Sequence, residues 1–302
     1  MNQDSAVATA STIVPLSHMG WLQVSGPDAV KFLQGQVTCD VAKLQPLTIR
    51  HGAHCTAKGR AVANFDLIKL DNETLLITLP LDTLPLLEKS LGKYIVFSKA
   101  SLSRPQWLGS GYLNCAPDLS AAAGLAPQQA ARLDNGDLLL CRADGAMELW
   151  SDAVDGSAGD SPAPWQLRDI DSGKGWITAA TSEIFIPQEL NLQTAAIDGI
   201  SFTKGCYTGQ EIVARLHYKG KVKRYLQRFS CVSESAINPG DDLYNGSSSQ
   251  SAGCVVNAVN MDGSWHLLAV ATEAAVASEG VHLDQDGKIA LQAAALPYSV
   301  NE

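Results

Sequence analysis

The sequence lacks the features that mark membrane-spanning and secreted proteins. No run of about 18 apolar residues occurs, so we expect no helix that crosses a membrane. The first ten residues hold Asp4 but no lysine or arginine, whereas a secretory signal opens with a basic segment. We therefore expect a cytoplasmic protein with no membrane partner.

The sequence also lacks paired cysteines. Its seven cysteines are an odd number, and none forms the CxxC arrangement that is typical of zinc sites and cysteine-bound clusters. The stretch 51–55 holds His51, His54 and Cys55, but no second group of ligands lies near it in the sequence. We expect free thiols in a reducing compartment and no bound metal.

Positive charge is scarce overall and concentrated in one place. The chain has 22 lysines and arginines against 31 aspartates and glutamates, and this net charge of −9 argues against a protein that coats DNA. Six of the 22 cations fall within 14 residues, beside His217, Tyr218 and Tyr225. This cluster is a candidate anion or RNA contact, or else a solvated linker face. Its cations are Arg215, Lys219, Lys221, Lys223, Arg224 and Arg228.

Several widespread catalytic and nucleotide-binding motifs are absent. The chain has no GxxxxGK[ST] phosphate loop, no GxGxxG after a strand and no GxSxG elbow. What remains is an ordinary globular composition, with 302 residues of which 46% are hydrophobic and 18% are charged. A chain of this length predicts about two domains.

Hydrophobic patterning in the first hundred residues predicts a mixed α+β unit. The predicted elements are a strand at 21–24, a helix after Asp28, strands at 61–70 and 74–79, a helix over 80–93 and a strand at 94–97. The β-β-α-β order within this run is typical of half of a split βαβ sandwich.

The remainder of the chain changes in texture near residue 222. Before it, the pattern predicts a hairpin with arms at 138–141 and 147–150, a helix that opens at Trp165, and a helix over 205–218. After it, short apolar runs alternate with Gly, Asn, Asp and Ser, which predicts a small barrel or sandwich. We place a domain boundary near Lys221, which gives the units 1–221 and 222–302.

The richest stretch for chemistry surrounds Cys206. Lys204 supplies a cation, and Gly205 and Gly209 allow the backbone to approach another group closely. Near a helix N-terminus, backbone N–H groups would stabilise the Cys206 thiolate. Two interpretations stay open: a reactive or ligand-sensing thiol, and a tight loop in which the cysteine is a small hydrophobe.

The eight residues 204–211 read KGCYTGQE, which resembles the signature of the YgfZ family. These are folate-binding proteins tied to tRNA modification and iron–sulfur enzyme maintenance, and relatives of the aminomethyltransferase of the glycine cleavage system. The resemblance covers nearly the whole chain. It includes SGPDA at 25–29, FLQGQVT at 32–38, KGR at 58–60, FIPQE at 185–189 and LPYS at 296–299.

This resemblance implies an α+β, aminomethyltransferase-like fold with a ring-like domain arrangement and a C-terminal β-barrel. It implies a site for tetrahydrofolate or a one-carbon derivative in the central opening, contacted by Trp21 and Trp165. It also implies that Cys206 is a functional thiol, with Lys204 beside it, and that the protein supports iron–sulfur enzymes that modify tRNA. The other residues of the signature loop are Gly205, Tyr207, Gly209, Gln210 and Glu211.

One departure from the transferases argues against aminomethyl transfer. Where they carry a pair of aspartates, this chain has Ala63 and Asn64, and neither can accept a proton as a general base. We therefore expect a folate-dependent accessory protein. Two alternatives stay open: a folate-dependent aminomethyltransferase or demethylase, and an RNA-binding module that uses Arg215, Lys221, Lys223 and Arg224.

Overall fold

The computed structural model describes residues 11–245, 251–277 and 280–300. Within these ranges the chain forms sixteen strands in three sheets, five α-helices and three short 3₁₀ helices. The strands are β1 (Thr12–Pro15), β2 (Met19–Ser25), β3 (Ile49–Cys55), β4 (Ala61–Lys69), β5 (Thr74–Pro80), β6 (Ser101–Ser103), β7 (Leu108–Leu113), β8 (Gln129–Arg132), β9 (Leu138–Cys141), β10 (Met147–Ser151), β11 (Arg224–Cys231), β12 (Asp242–Asn245), β13 (Ser251–Met261), β14 (Ser264–Thr272), β15 (Val281–His282) and β16 (Gln292–Ala294). The helices are α1 (Ala29–Gln34), α2 (Leu84–Ile95), α3 (Ala163–Asp171), α4 (Gln210–Lys219) and α5 (Glu273–Ala277), with 3₁₀ helices at Ser120–Gly124, Ala179–Thr181 and Pro187–Leu190.

The first sheet is antiparallel and has the order β3-β4-β5-β2-β6. All nine residues of β4 are buried, because both faces of this central strand are covered. Phe65 and Leu67 pack under α1 and α2, whereas Ile68 lies in a core shared with the second sheet. The strands predicted at 61–70 and 74–79 are therefore confirmed.

The second sheet has the order β1-β7-β10-β9-β8. Its first strand precedes β2 in the chain, so the two sheets are interleaved in sequence. Their shared core is rich in tryptophan, and Trp21 of the first sheet lies edge-on to Trp150 of the second, with 5.2 Å between ring centroids. The hairpin predicted at 138–141 and 147–150 is confirmed as β9 and β10.

The third sheet has the order β15-β12-β13-β14-β11-β16 and curls into a barrel. The segment 289–294 joins its two edges. At one end Leu291 N donates to the carbonyl of Val281 at 2.8 Å, and at the other β16 pairs with β11. The barrel predicted after residue 222 is confirmed, and its last strand lies at Gln292–Ala294.

Residues 94–97 do not form the predicted strand. Tyr94 and Ile95 end α2, and the next strand is β6. Val96 and Phe97 follow the helix at 71% and 89% exposure, so no neighbouring strand covers their β-branched and aromatic side chains. No helix in the described ranges is long and apolar enough to cross a membrane.

The helix predicted over 205–218 begins later than expected, at Gln210. Gly209 precedes it with a φ of +84°, a left-handed conformation that separates the loop from the helix. A Cβ atom at Gly209 would lie 2.6 Å from the carbonyl oxygen of Thr56, whereas one at Gly205 would meet nothing within 4 Å.

The two loop glycines predict opposite responses to alanine. We expect Gly209→Ala to lower the free energy of unfolding by at least about 2 kcal/mol, because it adds left-handed strain to a backbone clash. Gly205→Ala is the matched control and should stay within about 0.5 kcal/mol of the parent. Urea unfolding measures both, and equal stabilities would contradict the loop geometry.

Candidate functional site

Three stretches that are far apart in sequence meet around the loop 204–211. Thr208 N donates to the carbonyl of Gly35 at 3.2 Å, which fixes the loop to the segment after α1. On the other side, the turn between β3 and β4 approaches α4 so closely that a Cβ at Gly59 would lie 2.8 Å from Ile212 Cβ. The KGR and FLQGQVT stretches therefore form the support for the KGCYTGQE loop.

Lys204 anchors this loop from inside. Its Nζ donates to the backbone carbonyls of Val37 and Cys39, each at 2.8 Å, and lies 5.1 Å from the ring centre of Tyr207. Burial lowers the pKa of the ammonium group to about 8. The prediction that Lys204 acts beside Cys206 or binds an anion finds no support, because its charged end points into the protein.

Cys206 is presented to solvent by the same loop. All seven cysteines lie in the described residues as free thiols, and Cys206 is the one that is exposed. Burial raises the pKa of Cys39 to about 11 and that of Cys55 to about 12, so these thiols stay protonated at neutral pH. Cys206 lies three residues before Gly209, so it is near the N-terminus of α4 in sequence but outside the first turn of the helix.

The other signature residues differ in burial. Tyr207 is 7% exposed, and its carbonyl accepts a hydrogen bond from Gln210 N at 3.1 Å. Gln210 is half-buried, whereas Gly205 and Glu211 are exposed. The buried members fix the loop, and the exposed members surround the thiol in sequence.

The candidate anion contacts differ in whether they have a hydrogen-bond partner within the described parts of the chain. Arg215, Lys221 and Lys223 are exposed. Arg224 is not free, because its guanidinium donates twice to Oε1 of Glu189, at 2.7 and 3.0 Å. Arg224 thus has an internal partner, and its role as an anion contact stays a prediction.

Trp21 and Trp165 lie in the core shared by the first two sheets, at 1% and 2% exposure. Neither lines the two cavities described below, so the prediction that they contact folate finds no support in this geometry. Trp176 lines the first of these cavities. The sequence analysis does not single out Trp176 as a site residue, although it lies close to Trp165 in the sequence.

Two cavities share Lys174 as a wall residue. The first encloses about 470 Å³ and has a largely apolar lining, which includes Met19, Pro80, Leu81 and Trp176 together with the polar residues His18 and Asp169. The second encloses about 590 Å³ and has a strongly charged wall, which includes His51, Asp66, Arg142, Arg168, Lys174 and Tyr298.

A buried carboxylate organises the charged cavity. Asp66 accepts hydrogen bonds from His51 Nδ1 at 2.7 Å and Lys174 Nζ at 2.6 Å, and it pairs with Arg142. Burial alone would raise the pKa of Asp66, but the cations Lys174 and Arg142 outweigh it and hold the pKa well below its usual range. Burial lowers the pKa of Lys174, although Asp66 opposes that shift.

Asn64, on the central strand β4, has a structural role. Its Nδ2 donates to the carbonyl of Gly175 at 2.7 Å and to His51 Nε2 at 3.2 Å, and its Oδ1 accepts from Ile177 N at 2.7 Å. The missed residue is Asp66, two positions further along β4. Its signal was an acidic residue in the middle of a strand that is largely apolar and buried throughout.

The C-terminal LPYS stretch completes the charged cavity. Tyr298 donates its hydroxyl to the carbonyl of Gly173 at 2.7 Å and accepts from Asn191 Nδ2 at 3.3 Å. A Cβ at Gly173, which has a φ of +70°, would lie 2.7 Å from the tyrosine ring. Among the described residues, no group of three or more His, Cys, Asp or Glu side chains is placed to hold a metal ion.

The fold matches that of a known transferase. The crystal structure of the glycine cleavage system aminomethyltransferase T from Bartonella henselae superimposes with a TM-score of 0.65, over 95% of this chain and 86% of that chain, at 16% identity. No protein-family model matches the chain. The protein therefore has the aminomethyltransferase fold, as expected.

Comparison with curated sequences is more specific. Proteins named "tRNA-modifying protein YgfZ" are 32% identical in Klebsiella pneumoniae, over 96% of this chain and 94% of the relative. Those of Edwardsiella ictaluri are 33% identical over 97% and 96%, and those of Aliivibrio fischeri are 31% identical over 100% and 96%. The chain belongs to the YgfZ family.

The Asp66 network predicts a pH-dependent stability. We expect Asp66→Asn to lower the free energy of unfolding by about 3–5 kcal/mol at pH 7, because it removes the carboxylate partner of Lys174 and one of the two carboxylate partners of the buried Arg142, which keeps Glu148. The folded pKa is depressed below the unfolded value of about 3.9, so this contribution is present above pH ~4 and is lost as the pH falls further. Urea unfolding at neutral and acid pH measures it.

Asp171→Asn is the matched control. Asp171 also lines the charged cavity, but its side chain is 51% exposed and pairs with Arg228 at 3.0 Å. An exposed pair of this kind contributes at most about 1 kcal/mol. Similar losses in the two variants, or a loss at Asp66 that persists in acid, would contradict the role given to the buried carboxylate.

Proposed function

We propose that this protein binds tetrahydrofolate or a one-carbon derivative of it, and that it supports iron–sulfur enzymes, including those that modify tRNA, in the cytoplasm. The observation that carries the proposal is the pair of cavities that share Lys174 as a lining residue, one largely apolar and one charged. Membership in the YgfZ family and the aminomethyltransferase fold support it.

The chemistry of the two cavities suits the two halves of a folate. A flat pterin ring needs an apolar wall and a few hydrogen-bond partners. In the first cavity Met19 and Trp176 provide the apolar wall, and the polar lining residues provide hydrogen-bond partners. His18 Nδ1 is buried and has no hydrogen-bond partner among the described residues, so it is a candidate partner for the ring. The carboxylates of the glutamate tail would meet the cations Arg168 and Lys174, which add to pairs they already form, Arg168 with Asp144 and Asp169 and Lys174 with Asp66.

The titratable groups support binding over proton transfer. Asn64 uses its amide in three hydrogen bonds, and the pKa of Asp66 is held low by Lys174 and Arg142 against the effect of its burial. A carboxylate with so low a pKa is a weak base at neutral pH. We therefore assign these residues to positioning and charge balance around the ligand. Turnover of folate with a methylamine-type donor would instead favour the aminomethyltransferase alternative.

We assign the contact with partner enzymes to Cys206. It is an exposed thiol on a loop that Lys204 and Gly209 hold in place. Such a thiol can act as a thiolate or as a transient ligand to a partner's cluster.

Folate binding is tested through Trp176. We expect tetrahydrofolate, added anaerobically, to quench the intrinsic fluorescence in a saturable way, because the ring binds against this indole. Trp176→Phe should bind at least about tenfold more weakly. Trp265→Phe is the control, since Trp265 packs in the core of the barrel and donates to the carbonyl of Ser233. Equal binding by the two variants, each checked by thermal unfolding, would contradict the assignment.

The thiol is tested separately by Cys206→Ala. We expect this variant to fold and to bind folate as the parent does, because the side chain is exposed, but to lose support of the iron–sulfur enzymes. Thiolated nucleosides in the tRNA of cells that depend on the variant provide the measurement. Cys115→Ala, at a half-buried cysteine, is the control. Normal thiolation with Cys206→Ala would disprove the role of the thiol.

A further inference from the structure

A stretch without acidic residues begins inside α4. Between Ile212 and Ser233 the sequence has six cations and no aspartate or glutamate, in a chain whose net charge is −9. Two of the cations have partners from other elements, since Arg224 pairs with Glu189 and Arg228 with Asp171. The other four are exposed and form no ion pair within the described parts of the chain. They are Arg215, Lys219, Lys221 and Lys223.

Aromatic side chains lie among these cations. Phe202, from the loop before Lys204, stacks on His217 of α4 with ring centroids 3.7 Å apart and planes at 12°. Tyr218 lies edge-on to His217 at 4.7 Å and is 66% exposed. Arg215, Tyr218 and Lys219 have the spacing i, i+3 and i+4, which places them on one face of the helix.

The interaction with the helix dipole does not account for this composition. Cations in the last turn of a helix favour its C-terminus, which explains Lys219. Lys221 and Lys223 lie beyond the end of α4, outside the range of that effect. Unpaired cations beside an exposed aromatic ring are the combination with which proteins hold single-stranded nucleic acid: the cations contact phosphates and the ring stacks on a base.

We propose that this basic–aromatic surface binds a single-stranded segment of RNA, such as a loop of tRNA. The surface consists of Arg215, His217, Tyr218, Lys219, Lys221 and Lys223, with Phe202 behind His217. Tyr218 stacks on an unpaired base, and the cations contact the flanking phosphates. The inference rests on the proposed function and deepens it, because the loop that carries Phe202 also carries Cys206, so the RNA would bind near the thiol.

The test measures binding of a fluorescently labelled, unmodified tRNA transcript by anisotropy over a range of salt concentrations. A triple variant combines Lys219→Gln, Lys221→Gln and Lys223→Gln. We expect it to bind at least about tenfold more weakly at low salt, and to lower the slope of log affinity against log salt by about 2. The control triple variant combines Lys89→Gln, Lys93→Gln and Lys99→Gln, which removes the same charge from three other exposed positions and should bind as the parent does.

Stacking is tested at a single position. We expect Tyr218→Ala to bind the transcript about tenfold more weakly, and Tyr218→Phe to retain the affinity, because it keeps the ring. A fully base-paired RNA of equal length should bind less tightly than the transcript. Its affinities for the two variants should be equal.

The outcomes separate this inference from the proposed function. Parent-like RNA affinity in the lysine triple variant and in Tyr218→Ala would overturn it, as would an absence of binding by the parent. Displacement of the RNA by poly-glutamate, together with no effect of Tyr218→Ala, would also overturn it in favour of an acidic protein partner. Folate titration of the same samples should be unchanged. Absence of RNA binding by the parent, with intact folate binding, counts against this surface alone, and failure of the parent to bind folate counts against the proposed function alone.

Discussion

The buried carboxylate of Asp66 connects the parts of the molecule that form the charged cavity. It lies on β4 of the first sheet, its partner Arg142 follows β9 of the second, and Lys174 follows α3. Taking these charges out of water offsets most of their mutual attraction, so the network adds little net stability. Its effect is to fix the relative position of the three elements, because any other arrangement would leave a charge buried without a partner.

The KGCYTGQE loop is likewise held in one position by a few buried residues. Lys204 and Tyr207 are buried, and Gly209 fits a space that no side chain could share. These residues hold in place the part of the motif that is exposed, which includes Gly205, the Cys206 thiol and Glu211.

Much of the fold could be predicted from the sequence, because the signals are local. The apolar runs of β4 and β5 and the alternating strands of the barrel were each recognised from their own residues. The strand predicted at 94–97 is wrong because the composition of this segment favours a strand. In the structure the apolar face of α2 packs in the core of the first sheet, and the helix continues through Ile95. The site was harder to predict. The inward course of Lys204, the pairing of Arg224 with Glu189 and the burial of Trp21 all depend on contacts between distant segments.

The seam of the barrel, which is the segment 289–294, has a consequence for the order in which parts of the chain fold. The segment 289–294 joins the two edges of the third sheet, and Tyr298, four residues later, completes the wall of the charged cavity. Contacts of such long sequence separation form late in folding, since the entropy of closing a long loop must be overcome first. We therefore expect the cavity to form late in folding. A bound ligand would hold the seam shut by mass action, so the far end of the chain would be protected from proteases whenever the cavity is filled.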